Sequence, residues 1–226
     1  TEYVDSHSLA GRFDFITCSN VFAHIDDLSG VTNAVFASLK ENGLFAIEVH
    51  NGEYILGEGQ FDTIYHEHLT YFTVDTITHH LESHGFCVQE VGHTAMHGGG
   101  LRVLARRLGV ANLNPPPSRR LPSISDANRI SRDLSLSSEN VSRLKKEHGM
   151  LWGYGAAGRA QMFLHFTETV DLFQCIYDDS PFRHGRFIVA SDLAIQKFKR
   201  ESHNGACIIL AWNYADVIVE NIAPFF

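Results

Sequence analysis

No stretch of this 226-residue sequence approaches eighteen consecutive apolar residues, which argues against a membrane-spanning helix. Cysteine is scarce. Cys18, Cys87, Cys175 and Cys207 are far apart and form no C-x-x-C pair, so nothing supports a cysteine-based zinc site. Three of them lie in apolar, strand-like runs, and we expect buried, reduced thiols in a cytoplasmic setting. A basic excess is lacking too. With 18 Lys+Arg against 26 Asp+Glu the net charge is −8, so no chain-wide field exists to capture nucleic acid. Arg106-Arg107 and Arg119-Arg120 read as element ends and a solvated linker. There is neither an initiator Met nor a signal-peptide pattern, and the chain reads as a piece of something longer.

What is present is an α/β pattern. Phe13 to Ser19 reads as a buried strand, Val31 to Lys40 as a helix stopped by Asn42-Gly43, and Leu44 to Val49 as a second strand. A long loop follows. Thr73 is suited to cap a helix that runs to His84 and stops at Gly85. Phe86–Val91 and Gly100–Ala105 are strands joined by a short Gly/His-rich connection, which makes them antiparallel neighbours. Strand, helix, strand, helix and two antiparallel strands is how one doubly wound sheet ends.

The proline-rich run 113–125 reads as a linker, and 131–148 as a polar helix. A second α/β unit begins near Met150. Its expected elements are a strand, the Gly153-Tyr-Gly-Ala-Ala-Gly158 turn, a helix to Thr167, a strand Leu172–Tyr177, a helix Ser191–Arg200 and a strand Ala206–Trp212. The predicted division is 1–109, then 110–148, then 149–226.

Three places carry candidate chemistry. Tyr65-His66-Glu67-His68 follows a strand, where ligands meet open α/β sheets. His68 suits a general base beside Glu67, and Tyr65 a donor to a developing oxyanion. Adjacent side chains on an extended backbone diverge, so convergence of Glu67 and His68 requires a bent loop. The plainer reading is a polar loop bonded to itself. Metal binding through His66 and His68 fails the helical zinc pattern, because position 70 is Thr70.

Asn20 and His24 follow the first strand on the same sheet edge. Alone they read as a turn residue and a partly packed histidine. Gly153, Gly155 and Gly158 spell G-x-G-x-x-G between a strand and a helix, with Asp178 twenty residues on, the dinucleotide fingerprint. A tight turn that lets the helix pack closely, with Asp178 as a turn residue, is the alternative. Trp212 and Tyr214, ending a strand, either stack on a base or pack.

Together, Asn20-Val-Phe-Ala-His24, Phe61-Asp-Thr-Ile-Tyr-His-Glu-His68, His97-Gly-Gly-Gly-Leu-Arg-Val103, the glycine turn and Ala211-Trp-Asn-Tyr214 resemble the sugar C-methyltransferases. These enzymes act on nucleotide-linked keto-deoxysugars. The resemblance implies the C-terminal half of a class I (Rossmann-like) methyltransferase sheet plus a second small Rossmann-like domain that helps hold the sugar nucleotide. It implies S-adenosylmethionine as cofactor, with zinc only in an N-terminal module absent from this chain. It assigns His68 as base, with Glu67, Tyr65 and His24 around the sugar. Asn20, Ala23 and His50 fall to the cofactor side, and Arg102, Tyr154, Gly155 and Arg159 to the substrate side. After Asp178-Asp179, the run Arg183–Ala190 is shorter than in the family and lacks its Lys and Pro. A chain without the first half of the sheet is expected to be inactive alone. Two other readings remain: a nucleotide- or NAD-binding module built on the glycine turn, and an O-methyltransferase.

Overall fold

A computed structural model describes residues 9–108 and 123–226. The chain divides into two compact units, Thr1–Gly57 with His66–Pro122, and Glu58–Tyr65 with Ser123–Phe226. Most of the expected proline-rich linker lies outside the described residues.

The first unit runs β1 (Phe13–Ser19), α1 (Leu28–Ser38), β2 (Leu39–His50), α2 (Gly52–Gly57), α3 (Val74–Ser83), β3 (Phe86–Thr94) and β4 (Gly100–Arg107). Its sheet order is β1-β2-β4-β3. β1 and β2 are parallel, and β4 is antiparallel to both β2 and β3. The short connection before Gly100 makes β4 the antiparallel neighbour of β3, and its pairing with β2 places it between its two predecessors. Phe22, Phe45, Ile47, Phe72, Ile77, Leu81, Phe86, Leu101 and Val103 form the core.

Local chemistry explains the helix ends. Asp27 accepts from the Gly30 backbone N–H at 2.8 Å and starts α1 three residues before the expected Val31. Thr73 and Thr76 form a reciprocal capping box that starts α3. The expected stop at Asn42-Gly43 is instead an irregularity inside β2. α1 ends at Ser38, Leu39 already pairs opposite Phe13, and the register shifts before Phe15 meets Leu44. Asn42 takes φ +61° there, the conformation its side chain tolerates. β1 departs from expectation as well. Phe13 and Phe15 are exposed, and only Ile16 and Cys18 pack on the core. An apolar run does not reveal how many of its faces and edges find neighbours.

The second unit comprises α4 (Ile124–His148), β5 (Leu151–Tyr154), α5 (Gly158–Phe166), β6 (Ile176–Tyr177), β7 (Ile195–Gln196), β8 (Ala206–Ile209) and α6 (Ala215–Ile222). Its sheet is parallel throughout, in order β7-β6-β5-β8. α4 begins seven residues before the expected Ser131, because the Asp126 carboxylate accepts from Ser123 N at 2.8 Å and Ser123 Oγ at 2.7 Å.

The helix expected over 191–200 does not form. Leu193 and Ile195 are buried while Gln196 is exposed, a period of two, and Ile176 N and Asp178 N donate to Ala194 O and Gln196 O. The strand expected over 172–177 contracts to Ile176–Tyr177, preceded by a 3-10 turn at Val170–Leu172. The strand expected to reach Trp212 ends at Ile209, and Trp212–Tyr214 is a 3-10 turn. Among the described residues no helix is long and apolar enough to cross a membrane.

Candidate active site

The long loop after β2 is held in the first unit at both ends. Gly52 N donates to Phe72 O at 2.8 Å, and Leu69 N and Thr70 N both donate to Ala23 O, at 2.9 and 3.2 Å. The backbone bends at Tyr65 and turns over His66-Glu67, the departure from extended geometry that convergence requires. His24 sits in the 3-10 turn Phe22–His24 just past β1. Its Nδ1 lies 2.7 Å from the carbonyl oxygen of Glu67. A carbonyl only accepts, so Nδ1 carries the proton, and in the neutral ring Nε2 is the lone-pair nitrogen. The His24 and His68 rings lie 4.9 Å apart, tilted by 53°, and Tyr71 meets the His68 ring edge-on at 6.1 Å. His68 is half-buried, and His66 and Glu67 are exposed.

Asn20 directly follows β1 and His50 ends β2, at the same edge of this parallel pair. Asn20 takes φ +52° and donates its N–H to Glu48 O at 2.8 Å. Ala23 is buried and anchors the loop through its carbonyl. Arg102 pairs across strands with Glu48 through Nε and Nη2, at 3.0 and 2.8 Å, an exposed contact of modest energy. Gly99 has φ +130°, and a Cβ built there would fall 2.6 Å from the Tyr54 ring. The glycines before Arg102 thus seat Tyr54, a residue that sequence reasoning did not single out.

In the second unit the glycine turn is internally satisfied. Asp178 is buried and accepts from Ala156 N at 2.7 Å, Ser180 N at 2.8 Å and Arg183 Nη1 at 3.0 Å. The carboxylate that would bind a ribose instead holds the turn together. Gly155, at φ +98°, donates to Tyr177 O at 2.7 Å, and a Cβ there would fall 2.5 Å from that of Ala211. Tyr154 donates its hydroxyl to Asp179 at 2.6 Å, and burial together with that carboxylate raises its pKa.

Arg159 forms a bidentate pair with Asp62, Nε to Oδ2 at 2.9 Å and Nη2 to Oδ1 at 2.8 Å. Its guanidinium stacks over Trp212 at 4.5 Å, and Trp212 Nε1 donates to Asp62 at 2.9 Å. Sequence reasoning missed Asp62, because its partners lie 97 and 150 residues away. Tyr65 also belongs to this unit, and its ring lies 3.5 Å from a Cβ built on Gly158. Among the described residues no group of three or more His, Cys, Asp or Glu is arranged to hold a metal ion.

These features define an α/β protein whose first sheet carries a paired-histidine loop at the carboxyl ends of its parallel strands. Residues 3–91 match the model of a methyltransferase domain, and residues 125–226 match that of the C-methyltransferase C-terminal domain.

The chain is 29% identical over 221 residues to C-methyltransferase NovU of Streptomyces niveus, covering 90% of this chain and 52% of the relative. It spans about half the length of that curated relative. Among solved structures it is similar to a 1,6-didemethyltoxoflavin-N1-methyltransferase of Burkholderia thailandensis with S-adenosylhomocysteine bound (18% identity, 44% of this chain and 45% of that one, TM-score 0.35). It is also similar to an S-adenosylmethionine-dependent methyltransferase of Mesorhizobium loti (16% identity, 43% and 63%, TM-score 0.35).

Proposed function

We propose that this chain carries the proton-transfer part of an S-adenosylmethionine-dependent C-methyltransferase that acts on a nucleotide-linked keto-deoxysugar. The observation that carries the reading is the His24–Glu67–His68 arrangement in a chain matched to methyltransferase domains. The substrate class rests on the resemblance of the Phe61–His68 and His97–Val103 segments to the sugar C-methyltransferases.

Methylation at carbon, unlike that at oxygen, needs a carbanion equivalent. His68 accepts the proton from the carbon beside the keto group, leaving an enolate. Glu67 steadies the charge that His68 gains, and His24 holds the loop by its bond to the Glu67 carbonyl. A positioned proton-transfer group contributes roughly 10²–10⁴-fold. Tyr65 serves the developing oxyanion.

The residues at the first sheet's edge fit a share of a cofactor site. Asn20 just past β1 and His50 at the end of β2 lie where open α/β sheets take ligands, with Ala23 buried in the turn after β1. When bound, S-adenosylmethionine supplies the electrophilic methyl group. The satisfied Asp178 carboxylate speaks against the NAD reading of the second unit.

The test is hydrogen exchange. In D₂O without methyl donor, a keto-deoxysugar nucleotide should gain deuterium beside its ketone, and His68→Asn should abolish the gain. Equal exchange by the wild type and His68→Asn would remove His68 as base. Absence of exchange in a chain that transfers methyl would favour an oxygen acceptor.

A further inference from the structure

The Gly153–Gly158 turn has the spacing of a dinucleotide site, yet the places a ligand would take are engaged by the protein's own residues 60–65. These residues belong to the same unit as the turn. The 3-10 turn Phe61–Thr63 packs on α5, with the Phe61 ring stacked on Phe163 at 6.1 Å and meeting Phe166 edge-on at 6.3 Å. Asp62, with its side chain 8% exposed, brings a carboxylate to Arg159, the second residue of α5. That carboxylate takes three N–H donors, two from Arg159 and one from Trp212. Tyr65 lays its ring against Gly158, the last glycine of the motif.

We propose that the glycine turn and the start of α5 form a receptor for the chain's own Gln60–Tyr65 strap, in which Asp62 is the bound anion and Tyr65 the side chain being positioned. Gly158 has a definite role in this arrangement. A Cβ at 3.5 Å from the Tyr65 ring is in ordinary contact, whereas a larger side chain would push the ring away. Arg159 is then a positioning residue that acts through Asp62 on Tyr65. The guanidinium is required because its planar fork matches a carboxylate at two points, which an ammonium cannot do. Any consequence for proton transfer rests on the functional reading above, but the strap itself does not.

The experiment is ¹⁹F NMR of the whole chain labelled with 3-fluorotyrosine, the Tyr65 resonance being assigned by its loss in Tyr65→Phe. Asp62→Asn, Arg159→Lys and Gly158→Leu should each move that resonance toward its position in the unfolded chain, and Gly158→Ala should leave it in place. In a Trp152→Phe background, emission from Trp212 should change in Asp62→Asn and Arg159→Lys. Far-UV circular dichroism checks that each variant is folded. An unmoved Tyr65 resonance in folded Asp62→Asn and Gly158→Leu would overturn the proposal, as would NAD binding by calorimetry that displaces it in the wild type. None of these readouts needs methyl transfer, so failure of the strap and failure of the reaction assignment are distinguishable.

Discussion

His24 donates its Nδ1 proton to the backbone carbonyl of Glu67 across 2.7 Å, joining the turn after β1 to the middle of the Tyr65–His68 tetrapeptide. One hydrogen bond thereby selects a tautomer and holds the backbone next to His68.

His24→Ala removes that bond from an exposed position. Its stability cost should be small, about 0.5–1.5 kcal/mol, the net value of a protein hydrogen bond. Deuterium exchange should fall far more, roughly 10²-fold, if the bond positions His68. Thermal melting and exchange on the same sample separate the two. A loss of exchange no larger than the loss of folded protein would reduce His24 to a structural tie.

His80 gives the first unit a pH dependence. Burial first, then the charges of His84 and His79, lower its pKa from 6.5 to about 4, and its Nε2 lies 2.8 Å from Thr32 Oγ1. Between these two values the unfolded chain binds a proton that the folded chain does not, so stability rises with pH in that window. The contribution is fully present above pH 6.5 and is lost as pH falls toward about 4. Urea melts at several pH values should show this slope, and His80→Gln should flatten it.

Gly155 tests the glycine turn. An alanine there would sit at φ +98° with its Cβ 2.5 Å from that of Ala211, combining backbone strain with a clash. Gly155→Ala should destabilise the second unit by about 1–3 kcal/mol, the usual cost of a strained backbone conformation. Gly158→Ala, in open contact with Tyr65, should cost under about 1 kcal/mol. Similar melting curves for the two would contradict the geometry.

The thiols should differ in reactivity. Burial first, then the neighbouring Cys175, pushes Cys207 up to about 12, and burial raises Cys175 and Cys18 as well. At pH 8 the thiolate fraction at Cys207 is about 10⁻⁴, so it should resist a maleimide until the chain unfolds. Mass spectrometry of a timed labelling series reads this directly. Rapid labelling of Cys207 in folded protein would show that the second sheet opens locally.

Elements set by neighbouring residues were legible in advance. Thr73 and Gly85 bound α3 because caps act within one turn. The few residues between β3 and β4 leave only an antiparallel pairing. Segment 191–200 misled, because two short apolar alternations can be drawn on a helical face as easily as on a strand. Only pairing with β6 decides between them. Asp178 was legible both as part of a fingerprint and as a turn residue, and the donors from the turn itself and from Arg183 favour the second.

By itself, the sequence determined the α/β class, the reversed last strand of the first sheet and the cluster of phenol, carboxylate and imidazoles that marks the candidate site. Those follow from short-range periodicity, turn lengths and residue chemistry. Tertiary structure alone decided which groups meet: His24 with the Glu67 carbonyl, Asp62 with Arg159 and Trp212, and Tyr65 with Gly158. Contacts across tens to hundreds of residues depend on how sheets and helices pack, and no local pattern encodes them.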